Sequence, residues 1–343
     1  MAGFTSLIPQ NIAPKEAKKI GVYGSDGTRA GGIRLGTLAF PSNLGAKLYS
    51  FGALSDVHVS ANVNTSEADF RKALTYFQDT ENVNFVCIAG DLTQSSATAE
   101  WELYARCVAE ESESTPVYPV GGNHDAYGSG LTDALFKQYT GYGTFYTFTQ
   151  GNDVFIMLSS GAYPSKSGNI PPFYTSGLQQ LYNTLEANRN KRCFVFQHYF
   201  MVGYSGDPTD AYGSTTIFGN QQTVIQSLMS HYPNSIWFHG HSHHMFEAQS
   251  VHEKSTYDND FGCHSIHIPS CAVPKRVTSS GVSTETIAGS QGYVVDVYDN
   301  AIVLRGRDFV ANDYVPLGVY YLDTTLQTVA AGTYTDSTGT ITV

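Results

Sequence analysis

Charge is sparse in this chain of 343 residues: Asp, Glu, Lys and Arg make up 14%, with 19 basic residues against 30 acidic ones. The formal charge of −11 excludes a protein whose affinity comes from neutralising many nucleic-acid phosphates, and leaves open a small anion drawn to a local cation. Long apolar runs are missing too. Nothing approaches the roughly 18 uninterrupted apolar residues of a membrane-spanning helix. MAGFTSLIPQNIAPKEAKK at the start lacks the apolar stretch that a secretory signal needs after its basic residues. The expectation is a chain that is cytoplasmic or released without a signal. Cysteine is scarce, at five, an odd number. Cys87 and Cys193 lie inside apolar runs that read as buried strands, which predicts thiols rather than a disulfide framework, and whether Cys263 and Cys271 pair is left open.

What is present is apolar and aromatic. Hydrophobic residues make up 41%, enough for one large domain with a substantial core, and there are 23 tyrosines and 19 phenylalanines. From Lys47 apolar runs alternate with helix-like stretches. LYSFGALSDVH precedes SEADFRKALTYF, where Ser66 and Asp69 fit a capping box and Phe70, Ala73, Leu74 and Phe77 recur at helical spacing. VNFVCIAGD leads into a helix from Thr98 to Glu110, and PVYPVGGNHD into a shorter one from Leu131 to Tyr139. TFYTFTQ and DVFIMLSS, turned at Gly151 and Asn152, read as a β-hairpin. Helices from Gly177 to Arg189 and from Gln221 to Tyr232 feed CFVFQH and SIWFHGHSH. HSIHIP, GYVVDVYD and AIVLRGRDF then follow without helices between them, the last two joined at Asp299 and Asn300, and predict an antiparallel flank to a sheet begun by the alternating section. The domain expected is 47–323. Gly-rich residues 1–46 and Thr/Gly-rich residues 324–343 read as extensions available for assembly contacts. There is no internal repeat.

The polar residues that close the five apolar runs carry the chemistry: Asp56 and His58, then Asp91, then Asn123 and His124, then His198, then His241 and His243. Each group falls at the expected carboxyl end of its strand, the edge at which open α/β sheets bind ligands. Carboxylates, an amide and imidazoles aimed at one place suit transition metals. A structural zinc site explains them badly, because such sites close with four ligands, often Cys, and no cysteine stands near these residues. His231, His239, His244, His252, His264 and His267 read as ordinary hydrogen-bonded histidines.

In this order DVH, GD, GNHD, QHY and GHSH are the motif set of the calcineurin-like metallophosphoesterases, which the chain resembles from about Lys47 to Asp308. The resemblance implies an α/β fold of two packed mixed β-sheets flanked by helices, with a two-metal site at one edge. It assigns Asp56, His58, Asp91 and His243 to the first metal, and Asp91, Asn123, His198 and His241 to the second, with Asp91 bridging. It further implies attack on phosphorus by a hydroxide shared between the ions. His124, not itself a ligand in the family pattern, then protonates the departing alkoxide; Asp125 is expected to orient it on the ground of sequence adjacency alone.

Departures from the pattern narrow the branch. The protein phosphatases have GDxVDRG where this chain has GDLTQSS, so Gln94 replaces an acid-supporting Asp and the following Arg is missing. The tyrosine ligand of purple acid phosphatases has no counterpart after Asp91, and nothing supplies the basic channel of the nucleases. GDLTQSSATAEWELY with PVYPVGGNHD is most similar to the class III cyclic-nucleotide phosphodiesterases. The expectation is a dimetal hydrolase of a small phosphodiester, with a 3',5'-cyclic nucleotide as candidate. The alternatives are a phosphomonoesterase and a phosphoesterase-like module of a larger phage or cell-surface assembly. The cofactors expected are two divalent ions, manganese, iron or zinc. Tyr127, Tyr163, Phe173, Tyr174, Tyr199, Tyr204 and Tyr212 lie beside the motifs. Core packing is the default for each, and Tyr127, Tyr163, Tyr174 and Tyr204 are the candidates for contact with substrate.

Overall fold

The computed structural model of the chain describes residues 44–60, 66–127, 131–160, 177–207, 218, 221–247, 256–259, 262–277, 284–332 and 334–335, and the backbone alone of 20–23, 29–33, 277 and 284–285. Strands β1 (Ile20–Tyr23) and β2 (Arg29–Ile33) form an antiparallel hairpin. The rest of the N-terminal extension up to residue 43 lies outside the described residues, as do Tyr163, Phe173, Tyr174, Tyr212 and His252. The chain then runs through β3 (Lys47–Leu54), α1 (Ser66–Thr75), β4 (Phe85–Ala89), α2 (Thr98–Glu111), β5 (Val117–Val120) and α3 (Asp133–Thr140). Next come β6 (Phe145–Gln150), β7 (Asp153–Leu158), α4 (Gly177–Ala187), β8 (Cys193–Phe196), α5 (Gln221–His231) and β9 (Ser235–His239). The last strands are β10 (Tyr257–Asp258), β11 (His264–His267), β12 (Lys275–Val277), β13 (Thr284–Thr286), β14 (Gln291–Tyr298), β15 (Ala301–Asp308) and β16 (Asp313–Asp323).

Two six-stranded mixed sheets result. One is ordered β16-β15-β14-β3-β4-β5, with β3, β4 and β5 parallel and β14 to β16 antiparallel; the other is ordered β10-β11-β9-β8-β7-β6. Their facing sides make the central core, and its content explains the phenylalanine count. Phe51 stacks on Phe85 at 5.3 Å and meets Phe155 and Phe194 edge-on at 5.4 and 5.5 Å. Phe196 stacks on Phe238 at 4.8 Å. Such pairs contribute about 0.5–1.5 kcal/mol each beyond the area they bury. Outside the first sheet, Phe70, Leu74, Trp101, Tyr104 and Phe136 bring in the apolar faces of α1, α2 and α3; outside the second, Leu181, Leu185, Ile225, Leu228 and Met229 do so for α4 and α5. The α/β architecture of two packed mixed sheets flanked by helices is the one expected.

Four details differ from the sequence reading. HSIHIP does not join an antiparallel flank: β11 lies in the second sheet, parallel to β9. Apolar alternation identifies a strand but carries no direction, and the chain between β9 and β11 is long enough to cross over. Ser66 is the first residue of α1 rather than its cap, and its hydroxyl accepts from the Ser60 amide. The long edge strand β16 passes through Pro316 and Gly318, residues that mask a strand in sequence but are tolerated at an edge. The described part of the C-terminal extension binds its own domain: Gln327 N donates to Asn234, Val329 N to Asn190 and Gly332 N to Glu186. Val329 and Tyr334 are buried in the cluster around α4 and α5. The five cysteines are buried and free.

A π-helical turn, Tyr76–Glu81, prolongs α1 and delivers Glu81 to the edge of the first sheet. There Glu81 accepts from Arg305 Nη1 and Nη2 at 3.1 and 2.7 Å, and from the hydroxyls of Tyr76 and Tyr314 at 2.7 and 2.6 Å. Burial acts to raise its pKa, but Arg305 prevails and holds it at about 2, below the ordinary 4.5. A carboxylate held low contributes stability above its unfolded pKa and loses it as pH falls toward the folded value. Glu81→Gln should therefore destabilise by about 2–3 kcal/mol at pH 7. Chemical denaturation at pH 3.5 should show that penalty smaller by about 1 kcal/mol; an equal penalty at both values would assign the effect to packing instead.

Candidate metal centre

The motif residues leave the carboxyl ends of five parallel strands. Asp56 and His58 follow β3, Asp91 follows β4, Asn123 and His124 follow β5, His198 follows β8, and His241 and His243 follow β9. Three of these strands belong to the first sheet and two to the second, so the loops meet across the common end of the sandwich. Backbone bonds tie them together: Asp56 N to Gly90 O at 3.0 Å, His58 N to Asp91 O at 2.8 Å, and Gly240 N to His198 O at 3.0 Å. One donor atom from each of Asp56, His58, Asp91 and His243 lies within 4.8 Å of the others, and Asp91, His198 and His241 form a second such group. Asp91 is common to both. Asn123 Oδ1 stands 3.0 Å from His198 Nε2.

The local backbone shows why GD, GNHD and GHSH each carry a glycine. Asp56, His58, Asp91, His241 and His243 all have left-handed φ, from 47 to 72°, although none is glycine. That conformation costs roughly 1–2 kcal/mol per residue and persists only where the surroundings impose it. The imposition is close packing of loop on loop. A Cβ on Gly90 would stand 2.6 Å from His198 Nδ1, one on Gly122 2.2 Å from Asp91 Oδ1, and one on Gly240 2.4 Å from Asp56 Oδ2. Only hydrogen fits there, so the glycine in GD, GN and GH is the gap through which the next loop presents its ligand atom.

Asp56, Asp91 and His198 are fully buried. The His241 amide donates to both Asp56 oxygens at 3.2 and 3.0 Å, and His243 Nε2 lies 3.1 Å from Oδ1. Asp91 Oδ1 accepts the His124 amide at 2.8 Å. Asp91 Oδ2, 3.2 Å from His198 Nε2 and 3.6 Å from His58 Nε2, is a buried oxygen with no well-formed hydrogen bond. The imidazoles are oriented from behind. His198 Nδ1 donates to Ala89 O at 2.8 Å and His243 Nδ1 to Val273 O at 3.2 Å, which turns Nε2 of each ring toward the carboxylates. His58 Nε2 and His243 Nε2 face one another at 3.1 Å. Tyr199 packs edge-on to His241 at 4.8 Å and Phe200 stacks on it at 5.7 Å.

Charge follows from this geometry. Burial acts to raise both carboxylates, but the neighbouring imidazoles, His243 foremost for Asp56 and His198 for Asp91, hold them well below the usual range. Burial pushes His58 down to about 3 and His241 well below its ordinary value. His198 goes the other way: against the effect of burial, Asp91 and then Asp56 lift it to about 9. Two ionised carboxylates, with His58 and His241 pushed toward the neutral form, make a site short of positive charge, with an unsatisfied carboxylate oxygen and inward-facing imidazole nitrogens. That donor set fits divalent transition cations.

The structure places the other expected site residues as follows. His124 lies with its ring 4.6 Å from that of His58, and its Nδ1 donates to the main-chain carbonyl of Gln94 at 2.6 Å. That carbonyl, which no side-chain pattern encodes, holds the ring in the role that the sequence reading gave to Asp125. Asp125 instead accepts from Gly122 N, Leu92 N, Thr93 N and Thr93 Oγ1, and burial and then repulsion from Asp91 push it up to about 6. Tyr127 meets the His124 ring edge-on at 4.6 Å. Tyr204 packs on the outer cluster, its hydroxyl accepting from Gln226 of α5 at 2.5 Å. Of the described histidines read as ordinary, His239 bonds Ser205 Oγ, His264 bonds Asp323 O and His267 bonds His244 O.

Metal uptake should therefore compete with a proton. Because His198 holds its proton up to about 9 and must be neutral to coordinate, affinity for Mn²⁺ should rise with pH by up to about tenfold per unit and level off above that value. Titration calorimetry in buffers of different ionisation enthalpy checks this through the proton released. Affinity independent of pH between 6 and 8 would contradict it.

Known proteins were compared with this geometry in view. A probable cyclic nucleotide phosphodiesterase from Colwellia psychrerythraea (strain 34H / ATCC BAA-681) is 23% identical over 178 residues, a match spanning 49% of this chain and 64% of that protein. Among solved structures, a predicted phosphoesterase from Streptococcus pneumoniae TIGR4 and Vacuolar Protein Sorting 29 from Cryptosporidium parvum each align at 12% identity and a TM-score of 0.38. The first alignment covers 80% of this chain and 97% of the other, the second 82% and 100%. The family model described as calcineurin-like phosphoesterase matches residues 49–245, more than half of the chain and every residue of the cluster, and the chain belongs to that family.

Proposed function

We propose that the chain hydrolyses a small phosphodiester with two bound divalent ions, and that a 3',5'-cyclic nucleotide is the substrate class to test first. The observation that carries this reading is the position of Asp91, whose carboxylate belongs to both groups of donor atoms. Asp56, His58, Asp91 and His243 would hold one ion, and Asp91, Asn123, His198 and His241 the other. Bound there, the ions would supply an acidified water and a clamp on the oxygens of an in-line displacement at phosphorus. The diester preference is supported by the GDLTQSSATAEWELY stretch and by the name of the Colwellia relative, and the scarcity of Lys and Arg argues against a polynucleotide.

The chain's own groups do the rest. The Gln94 carbonyl takes the Nδ1 proton of His124, so Nε2 is the atom left to carry a proton to the departing oxygen. The Asp91 carboxylate fixes the His124 backbone, which keeps that proton at a set distance from the cluster. Tyr127, edge-on to the ring, limits its rotation and is the described tyrosine best placed for contact with substrate.

A turnover panel of phosphodiesters and phosphomonoesters after reconstitution with manganese, iron or zinc tests the substrate class; a monoester preference would overturn the diester reading. His124→Ala tests the proton donor. Loss of general acid catalysis should slow alkyl esters about 10²–10⁴-fold and nitrophenyl esters much less, since nitrophenolate leaves without a proton. Metal content should be unchanged. Equal losses on both ester types would make His124 a phosphate-positioning group rather than an acid.

A further inference from the structure

A carboxylate offers about four lone-pair directions on its two oxygens, and Asp125 meets four donors. Oδ2 accepts Gly122 N at 2.8 Å and Leu92 N at 3.0 Å; Oδ1 accepts Thr93 N at 2.9 Å and Thr93 Oγ1 at 2.8 Å. The side chain is fully buried, so no water competes for these positions. The donors come from two different loops, the one that follows β4 and carries Asp91, and the one that follows β5 and carries Asn123 and His124. Further bonds cross the same seam. Asp91 Oδ1 accepts the His124 amide, Gln94 O accepts His124 Nδ1, and Ser96 Oγ donates to the Asp125 carbonyl at 2.8 Å. The glycine gap at Gly122 brings the loops as close as backbone permits.

An amide would not serve in this place. Asn has an oxygen on one arm only, and its NH₂ would point two hydrogens at two N–H or O–H donors. A second carboxylate beside Asp91 also costs repulsion, which a residue that merely filled space would not incur. We infer that Asp125 is a positioning residue: by bolting the Asp91 loop to the His124 loop it sets where the His124 ring stands relative to the Asp91 carboxylate. It touches neither substrate nor the ligand atoms and acts through the backbone of both loops. The role of His124 as proton donor belongs to the proposed function, on which the kinetic part of the following test rests.

The experiment has two independent readouts on Asp125→Asn. The first is the downfield imidazole N–H proton of His124, bonded to the Gln94 carbonyl, followed by NMR in the full-length chain as purified and assigned by its loss in His124→Ala. Asp125→Asn should abolish or shift it while the rest of the spectrum stays dispersed; an unchanged resonance would overturn the inference. The second is a double-mutant cycle on an alkyl phosphodiester with the reconstituted enzyme. Asp125→Asn should lower kcat about 10–100-fold, a part of the range for general acid catalysis, with KM little altered. The double variant should be no slower than His124→Ala alone, whereas losses that multiply would mean that Asp125 acts elsewhere. If Asp125→Asn does not fold, Thr93→Val removes one of the four donors and should give the same changes at smaller size; no change in the resonance would again overturn the assignment. If His124→Ala itself leaves alkyl-ester turnover intact, the acid role fails while the imidazole resonance still decides the role of Asp125.

Discussion

Two carboxylates sealed from water, Asp56 and Asp91, have to be compensated by charge and by hydrogen bonds, and the end of the sandwich is organised around that requirement. Backbone amides of His241 and His124 supply the hydrogen bonds, and imidazoles from four other positions supply the partners. To bring those groups close enough, three of the five loops adopt left-handed turns at the ligand residues Asp56, His58, Asp91, His241 and His243, and the loops pass one another at Gly90, Gly122 and Gly240. The strain is tolerated because both sheets beneath are stiff. The stacked phenylalanines between them fix the strand ends to which the loops are attached.

The division of labour between side chain and backbone is consistent around the cluster. Side chains face inward with the atoms that bind or move charge, while main-chain carbonyls of Ala89, Val273 and Gln94 hold His198, His243 and His124 from behind. A main-chain carbonyl can only accept, so Nδ1 of each ring is held as the donor and Nε2 is left facing the cluster. At the position where the protein phosphatases have an Asp, this chain holds the His124 ring through the backbone carbonyl of Gln94. The ordinary polar side chain at that position is thereby explained.

Period and order made the strands and their polar ends legible in the sequence, while the pairing of two sheets and the sorting of the ligands came from the resemblance of the motif set to a known family. Apolar runs mark the strands, and the polar residue just past each run falls at the sheet edge whichever sheet the strand joins. Strand direction was not legible, which is why HSIHIP was assigned to the wrong flank, and Pro316 and Gly318 hid β16. Sequence adjacency suggested a direct contact from Asp125 to the His124 ring, and the structure shows none. A residue next to His124 need not touch its ring, and in the short 3₁₀ turn from His124 to Ala126 the carboxylate bonds the backbone of the Asp91 loop instead. Phe200 stacking on His241 left no signal in the pattern, because an aromatic after a strand is equally a core residue.

The account turns on one carboxylate serving two cation positions. Elemental analysis of the purified, reconstituted chain and of its Asp91→Asn variant measures this directly. About two divalent ions per chain are expected in the native protein. Asp91→Asn should lose occupancy at both positions, whereas His243→Ala, which touches one group, should mainly lose one. Two ions retained at full occupancy in Asp91→Asn would contradict the shared site, and with it the reading of this chain as a two-metal hydrolase.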